Sequence, residues 1–278
     1  MNLTHIDIHS HLYFPDYDAD RDEVIARMKE QGVGTITIGT TLETSREAVQ
    51  LAQEHEHLWA CVGIHPAHDL TELPAVAEVA STLRTMLSEK KVVAIGECGL
   101  DYFRMHADPE KTAAQKVLQH ELFEMQVQLS IEMGKPLMLH IRDGKNAATN
   151  SAESAHADVL TLLRTYKKEY GDKLRANCHF FSGPVELAKQ YLELGFMLSF
   201  TGVVTFTPQY NDAIKYVPAG SFMIETDAPF VAPVPHRGKR NEPTYVIEVL
   251  KKVAEIRGDD TEVLKVQLLN TAKNFFSL

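Results

Sequence analysis

The sequence has few cysteines and no long apolar segment. Only three of its 278 residues are cysteine, and no apolar run approaches the ~18 residues that span a bilayer. The first ten residues contain no basic region, no apolar stretch and no small-residue cleavage site of the kind that marks a signal peptide. These absences argue against a membrane protein, a membrane partner and a disulfide-rich secreted domain. We therefore expect a cytoplasmic protein with reduced thiols.

The sequence also lacks a net positive charge. Its 28 Lys and Arg residues stand against 38 Asp and Glu residues, for a formal net charge of −10. This balance argues against a protein that coats duplex DNA with its whole surface, but it leaves a nuclease open, because metal ions and a local group of basic residues can hold a phosphate. No linker or low-complexity segment interrupts the chain. Residues 1–278 are therefore expected to form a single domain, and no obligate protein partner is evident.

Short β-branched runs alternate with longer amphipathic stretches along the chain. Eight runs resemble strands separated by helical crossovers, and they cover residues 3–8, 34–39, 58–64, 92–96, 136–141, 175–180, 196–200 and 222–225. Repeated right-handed crossovers favour an α/β fold, a (β/α)8 TIM-type barrel. The alternative is an open doubly wound sheet. That fold normally has a glycine-rich phosphate loop after its first strand, where this chain has His9-Ser10-His11.

Metal-capable side chains lie at the ends of five predicted strands. The carboxyl ends of barrel strands meet at one rim, so these side chains are expected to converge there. They are His9 and His11 after the first strand, Glu97 after the fourth, His140 on the fifth, His179 on the sixth and Asp227 after the eighth. His9 and His11 are two residues apart on an extended chain, so both face the same side.

These residue types indicate a site for two divalent ions. Imidazoles and carboxylates suit several divalent metals, and the native ion stays open among Mg, Mn, Zn, Ni and Co. Two histidines, Asp227 and a shared Glu97 can complete a first site, and Glu97 with two further histidines can form a second. Glu97 is the candidate bridge, because a carboxylate offers two oxygens and a negative charge between two cations.

The three cysteines and five of the histidines are expected to lie outside the metal site. Cys98 follows Glu97 and Cys178 precedes His179, but strand alternation turns the neighbour of a ligand toward the helix layer. We expect both cysteines, and Cys61, to pack in the core. Five histidines are expected at ordinary surface positions: His5, His55, His57, His106 and His120.

Seven segments, in order over nearly the whole chain, resemble the TatD-type metal-dependent DNase family, a group of amidohydrolase-like barrel hydrolases. The resemblance implies a β/α barrel, divalent metals and hydrolysis of phosphodiester bonds in nucleic acid, chiefly DNA. The segments are Asp7-Ile8-His9-Ser10-His11, Gly63-Ile64-His65-Pro66, Gly96-Glu97-Cys98-Gly99-Leu100-Asp101-Tyr102, Leu139-His140-Ile141-Arg142, Cys178-His179-Phe180-Phe181-Ser182-Gly183, Glu225-Thr226-Asp227-Ala228-Pro229-Phe230 and Arg237-Gly238-Lys239-Arg240-Asn241-Glu242-Pro243.

Two departures from the family pattern concern one core position and one loop. Cys98 stands where the family more often has an aliphatic residue, which we expect to be harmless. Residues 144–158 form a polar stretch, rich in Ala, Asn and Ser, that looks longer than the usual loop after the fifth strand. It should lie on the rim of the active site, so it bears on substrate preference rather than on chemistry.

The hypothesis for the chemistry is two-metal hydrolysis, in which the ions lower the pKa of a bound water to give hydroxide near neutral pH. Asp227 would bind one ion and act as the general base, with Glu97 as the other catalytic carboxylate. The expected phosphate contacts are His65, Arg142, Arg237, Lys239 and Arg240. Asp7 is expected to be a hydrogen-bond partner behind the ligands.

Three other functions remain open at this point. Amide, ester or lactone hydrolysis needs the same ligands, so the metal residues do not separate it from phosphodiester hydrolysis. Deacylation of aminoacyl-tRNA combines ester cleavage with a nucleic-acid partner. A non-catalytic, metal-stabilised binding protein would have a closed coordination shell, whereas a catalytic site keeps a position open for water.

Overall fold

The computed structural model describes residues 2–145 and 154–278, and it confirms the parallel barrel. Eight strands form one sheet in the order β1 to β8, and every neighbouring pair is parallel. The strands are β1 His5–Ser10, β2 Val33–Ile38, β3 Leu58–Val62, β4 Val92–Asp101, β5 Leu137–Arg142, β6 Ala176–Cys178, β7 Met197–Phe200 and β8 Phe222–Ile224.

Helices fill the crossovers between the strands. In the described part of the chain they are α1 Arg21–Glu30, α2 Leu42–Glu54, α3 Val76–Leu87, α4 Pro109–Met133, α5 Ala155–Tyr170, α6 Val185–Glu193, α7 Asn211–Tyr216, α8 Val246–Arg257 and α9 Thr261–Phe276. The side chain of Asp108 caps the start of α4 by accepting hydrogen bonds from the backbone of Glu110 and Lys111, and Gly134 ends the helix in the left-handed conformation. Within the described ranges, no helix is long and apolar enough to cross a membrane.

The seam between β8 and β1 closes at the end that carries the candidate ligands. The backbone N–H of Asp227 donates to the carbonyl of His9 at 2.9 Å, and that of His11 donates to Ala228 at 2.7 Å. The buried carboxylate of Asp7 accepts two hydrogen bonds from Thr226, from its backbone N–H at 2.8 Å and from its hydroxyl at 2.7 Å. The hydrogen bonds that close the barrel therefore also fix the backbone of three candidate ligands.

The apolar core has two parts. The larger joins the strands to the surrounding helices and includes the buried Cys98 and Cys178. The smaller contains strand residues such as Ile8, Ile38 and Cys61 and is packed against residues of α9. All three cysteines are buried and free, which confirms that they pack in the core.

Candidate metal centre

The structure brings all six predicted ligands together at the mouth of the barrel. On one side, the Nε2 atom of His9 lies 3.4 Å from Glu97 Oε2 and 3.7 Å from Asp227 Oδ1. The Nε2 atom of His11 lies 3.5 Å from the same Asp227 oxygen. Ligand atoms of His9, His11 and Asp227 all lie within 4.8 Å of one another, which is close enough to share one cation.

The other oxygen of Glu97 faces a second set of histidines. Glu97 Oε1 lies 2.8 Å from His140 Nδ1, 3.5 Å from His179 Nε2 and 3.4 Å from His65 Nε2. One carboxylate thus presents one oxygen to each histidine set. This is the arrangement expected of a carboxylate that bridges two cations.

A strand longer than predicted positions Glu97. The sequence predicts a strand that ends at Gly96, but β4 continues to Asp101 through a register shift between Gly96 and Cys98. Gly96 has φ +137°, and a Cβ there would lie 2.3 Å from the carbonyl oxygen of Met138. Only glycine fits this position, so the irregularity that presents Glu97 depends on Gly96.

Hydrogen bonds behind the histidines decide which ring nitrogen faces the site. His11 Nδ1 lies 2.9 Å from the carbonyl of Ile38, which can only accept. His11 therefore carries its proton on Nδ1 and turns the Nε2 lone pair to the site. His140 Nε2 forms a hydrogen bond of 3.0 Å with Asp101, and His179 Nδ1 forms an ion pair of 3.1 Å with Glu225.

The sequence analysis assigned no role to Asp101 or Glu225. Both are buried, and each pairs with a histidine on the side away from Glu97. A signal for Glu225 was present, because it stands two residues before Asp227 and an extended chain repeats its facing every two residues. Such carboxylates orient metal-binding histidines and raise their basicity.

Asp7 lies behind the ligands as expected, but it contacts backbone and hydroxyl groups rather than an imidazole. The register between β1 and β2 gains one residue between Asp7 and Ser10, which interrupts the alternation of side chains along β1. Asp7 instead accepts hydrogen bonds from the His9 backbone and the hydroxyls of Thr226 and Thr35.

His65 belongs to the second histidine set, but its ring proton is on the other nitrogen from that of His11. Its Nδ1 accepts a hydrogen bond from the backbone N–H of Ala67 at 3.0 Å. The neutral ring must then carry its proton on Nε2, the atom that faces Glu97. His65 is therefore built to donate a hydrogen bond into the site, whereas His11 offers it a lone pair.

The pKa values of the cluster keep its carboxylates ionised, and their negative charge suits bound cations. Burial alone would raise the pKa of Glu97, but His65, His140 and His179 outweigh it and hold that pKa well below its ordinary value. Burial likewise opposes the lowered pKa of Asp227, and neighbouring histidines outweigh it. Although burial lowers the pKa of His179, Glu225 reverses the effect and raises it to about 10.

The donor set fits divalent cations. Burial lowers the pKa of His9, which favours the neutral ring, and neither of its ring nitrogens has a hydrogen-bond partner in the described structure. An unpartnered, fully buried imidazole is costly unless it binds something. Nitrogen and carboxylate donors without thiolate match the ligands of Zn, Mn, Ni or Co, and the residues present can hold them.

A cleft of about 640 Å³ opens over the cluster. It is lined by two expected phosphate contacts, His65 and Arg142, and by Arg104, which the sequence analysis did not single out. The Arg142 guanidinium lies 3.7 Å from the ring centre of Phe103. The other lining residues are His11, Phe14, Thr40, Ala67, His68, Glu97, Asp101, His140, Ile141, His179, Phe180, Ser182, Val203, Tyr210, Asp227 and Phe230.

The structure does not bring the basic cluster at 237–240 into this cleft. Arg240 forms two hydrogen bonds of 2.7 Å with the carboxylate of Asp20, and its guanidinium packs over Tyr17. Arg237 donates to the carbonyl of Ala232. Neither arginine, nor Lys239, lines the cleft. The sequence showed the basic cluster but not that Arg240 pairs with the carboxylate of Asp20. We therefore do not propose a role in substrate binding for this cluster.

One of the five histidines expected at the surface is buried. His57 is buried, with 8% of its surface exposed, because its carbonyl accepts a hydrogen bond from Thr35 and draws it against the sheet; the surface prediction was wrong for it. His106 is exposed, while His5, His55 and His120 are partly buried.

Most of the rim segment predicted at 144–158 falls on 146–153, which lie outside the described residues.

Comparisons with known proteins identify the family of this chain. A family model described as TatD related DNase matches residues 6–277. YabD of Bacillus subtilis, named as an uncharacterized metal-dependent hydrolase, is 35% identical over 277 residues, which cover 98% of each chain. The 3'-5' ssDNA/RNA exonuclease TatD of Enterobacter lignolyticus is 33% identical over 281 residues, again 98% of each chain.

Solved structures of other proteins share the fold of this chain. That of YJJV, a TatD homolog from Escherichia coli K12, superposes with a TM-score of 0.83 at 26% identity and covers 100% of both chains. A structure engineered for organophosphate hydrolysis from a lactonase template reaches a TM-score of 0.61 at 14% identity, which shows a shared fold alone. With the family model matching almost the full length, the chain belongs to the TatD-related DNase family and is a metal-dependent hydrolase that acts on ester bonds.

Proposed function

We propose that this protein is a nuclease that hydrolyses phosphodiester bonds of single-stranded nucleic acid, chiefly DNA, with two divalent ions. The observation that carries the proposal is Glu97, whose two oxygens face separate histidine sets beneath a cleft that also contains Arg142. The exonuclease activity in the name of the Enterobacter relative supports the choice of substrate.

The chain's residues divide the work between holding ions and handling substrate. His9, His11 and Asp227 would hold one ion and His140 and His179 the other, with Glu97 shared. Bound ions lower the pKa of water and neutralise charge on phosphoryl oxygens. Asp227, which lines the cleft, accepts the proton of the attacking water.

Two further side chains act on the phosphate. His65 donates its Nε2 proton to a phosphoryl oxygen, since Ala67 already occupies its other nitrogen. Arg142 lines the same cleft, and its planar group of donors matches phosphate oxygens. Hydrolysis of a lactone, amide or aminoacyl-tRNA ester would use the same ion ligands, but a small neutral substrate would not need the arginine.

The test is a rate comparison on single-stranded DNA, a phosphodiester model compound, a lactone and a charged tRNA, with Mg, Mn, Co or Zn supplied. We expect cleavage of both phosphodiesters and a preference for the single strand. Asp227→Asn should lower kcat by at least about 100-fold, whereas Asp212→Asn, an exposed aspartate on α7, should match the wild type. Absence of phosphodiester cleavage with every ion would refute the proposal.

A further inference from the structure

The cleft has two chemically different walls. Phe230 and Phe14 form an aromatic wall beside β8 and β1, and Arg104 and Arg142 form a cationic wall beside β4 and β5. Building on the nuclease function proposed above, we propose that the aromatic wall stacks against the terminal base of a single strand while the cationic wall holds its phosphate backbone. Phe230 is thereby a substrate-binding residue.

Phe230 combines a backbone anchored by hydrogen bonds with an exposed aromatic ring in the cleft. It follows Asp227 by three residues, and 48% of its surface is accessible within the cleft. Its backbone N–H donates to Asp227 at 2.9 Å, and its carbonyl accepts from the side chain of Asn241 at 2.6 Å. The ring contacts Phe14 and His11 only edge to face, so about half of its surface stays open to a ligand in the cleft.

Neighbouring rings extend the aromatic wall down to the metal ligands. Phe14 lies edge to face with Phe230 at 5.8 Å between ring centres, and it stacks on the ligand His11 at 5.0 Å. A flat ring seated against Phe230 would therefore lie directly beside the cluster. All nucleobases have such a flat face, so stacking there would tolerate any sequence.

The barrel puts the cationic wall across the mouth from these rings. In the closed order from β1 to β8, strands β4 and β5 are four places away from β8 and β1. Arg104 follows β4, and Arg142 ends β5, where Phe103 supports its guanidinium. Arg104 has no hydrogen-bond or ion-pair partner in the part of the chain that the structure describes. Its charge is available to a phosphate.

The two walls match an unpaired nucleotide better than a nucleotide in a duplex. A nucleotide has an aromatic face and an anionic group on opposite sides of its sugar, and the cluster lies between the two walls. A base in a duplex is already stacked on both sides, so it would have to leave the helix first. The walls therefore predict a preference for single-stranded ends.

Equilibrium binding tests the stacking contact without relying on turnover. The probe is a fluorescent single-stranded phosphorothioate oligonucleotide, which resists hydrolysis, added to manganese-loaded protein. Phe230→Ala should raise Kd roughly 5- to 150-fold, the range expected for the loss of one base–aromatic stack. Phe230→Trp should bind about as tightly as the wild type. The matched control is Phe206→Ala, since Phe206 is 42% exposed but lies outside the cleft lining.

A change in the substrate completes the test. With an abasic residue at the terminus, the difference in Kd between Phe230→Ala and wild type should shrink toward zero. The inference is overturned if Phe230→Ala and Phe206→Ala bind equally, if the loss persists on the abasic strand, or if the oligonucleotide does not bind. Failure of the proposed nuclease function would show separately, as absent cleavage of unmodified DNA by wild-type protein.

Discussion

At the scale of single residues, the hydrogen bonds behind each histidine separate ligands from donors. His65 and His140 both approach Glu97 Oε1, so distance alone does not distinguish their roles. The partner of the second ring nitrogen does, because Ala67 donates to His65 while Asp101 accepts from His140. On this basis we propose that His65 contacts the substrate and that His140 binds an ion.

Substitution of these two histidines should therefore give different results. His140→Gln removes an ion ligand and should lower the number of bound ions per protein, measured by elemental analysis after dialysis. His65→Gln should keep the ion content of the wild type and lower kcat/KM about 10- to 100-fold, the loss expected for a hydrogen bond to a charged group. Loss of an ion from the His65 variant would show that it is a ligand instead.

At the scale of elements, much of the arrangement could be predicted from the sequence. The eight β-branched runs became strands, and the six ligands at their ends converged because parallel strands share one rim. The extra residue in β1 and the continuation of β4 past Gly96 could not be predicted, since alternation patterns do not reveal where a register shifts. The spacing of Glu225 from Asp227 indicated which way its side chain faces, but a sequence does not show that it pairs with His179 on a different strand.

The contacts of the basic cluster at 237–240 could not be predicted from the sequence either. Arg240 bonds to Asp20 at the start of α1, so Arg240→Ala should lower the free energy of unfolding by about 1 kcal/mol and leave KM for single-stranded DNA unchanged. Arg142→Ala should do the reverse, raising KM about 10-fold or more at nearly constant stability. Urea unfolding and steady-state kinetics measure both. A raised KM for the Arg240 variant would return this arginine to the substrate path.

At the scale of the whole molecule, burial of histidine couples stability to pH. Burial lowers the pKa of His156, whose ring contacts the Tyr191 hydroxyl, from 6.5 to about 4. The unfolded chain gains a proton there as the pH falls through 6.5, whereas the folded protein gains it only near pH 4. Stability should therefore be lost between these values, with a slope of up to ~1.4 kcal/mol per pH unit from this group.

This prediction is tested by urea unfolding at pH 7 and pH 5. His156→Gln should show a smaller loss of stability between the two pH values than the wild type, because the substituted side chain does not titrate. His106→Gln, which alters an exposed histidine, should keep the wild-type loss. Equal losses in all three proteins would show that His156 does not contribute.

The barrel as a whole brings two histidine sets, a carboxylate that faces both, and a cleft lined by two arginines to one rim. The most direct test of this account is to titrate metal-free protein with Mn²⁺ while measuring both the ions bound and the cleavage of single-stranded DNA. The account predicts that cleavage rises as about two ions bind per chain, and that Glu97→Gln binds fewer ions and is inactive. Full activity with a single bound ion, or no cleavage at any ion content, would contradict it.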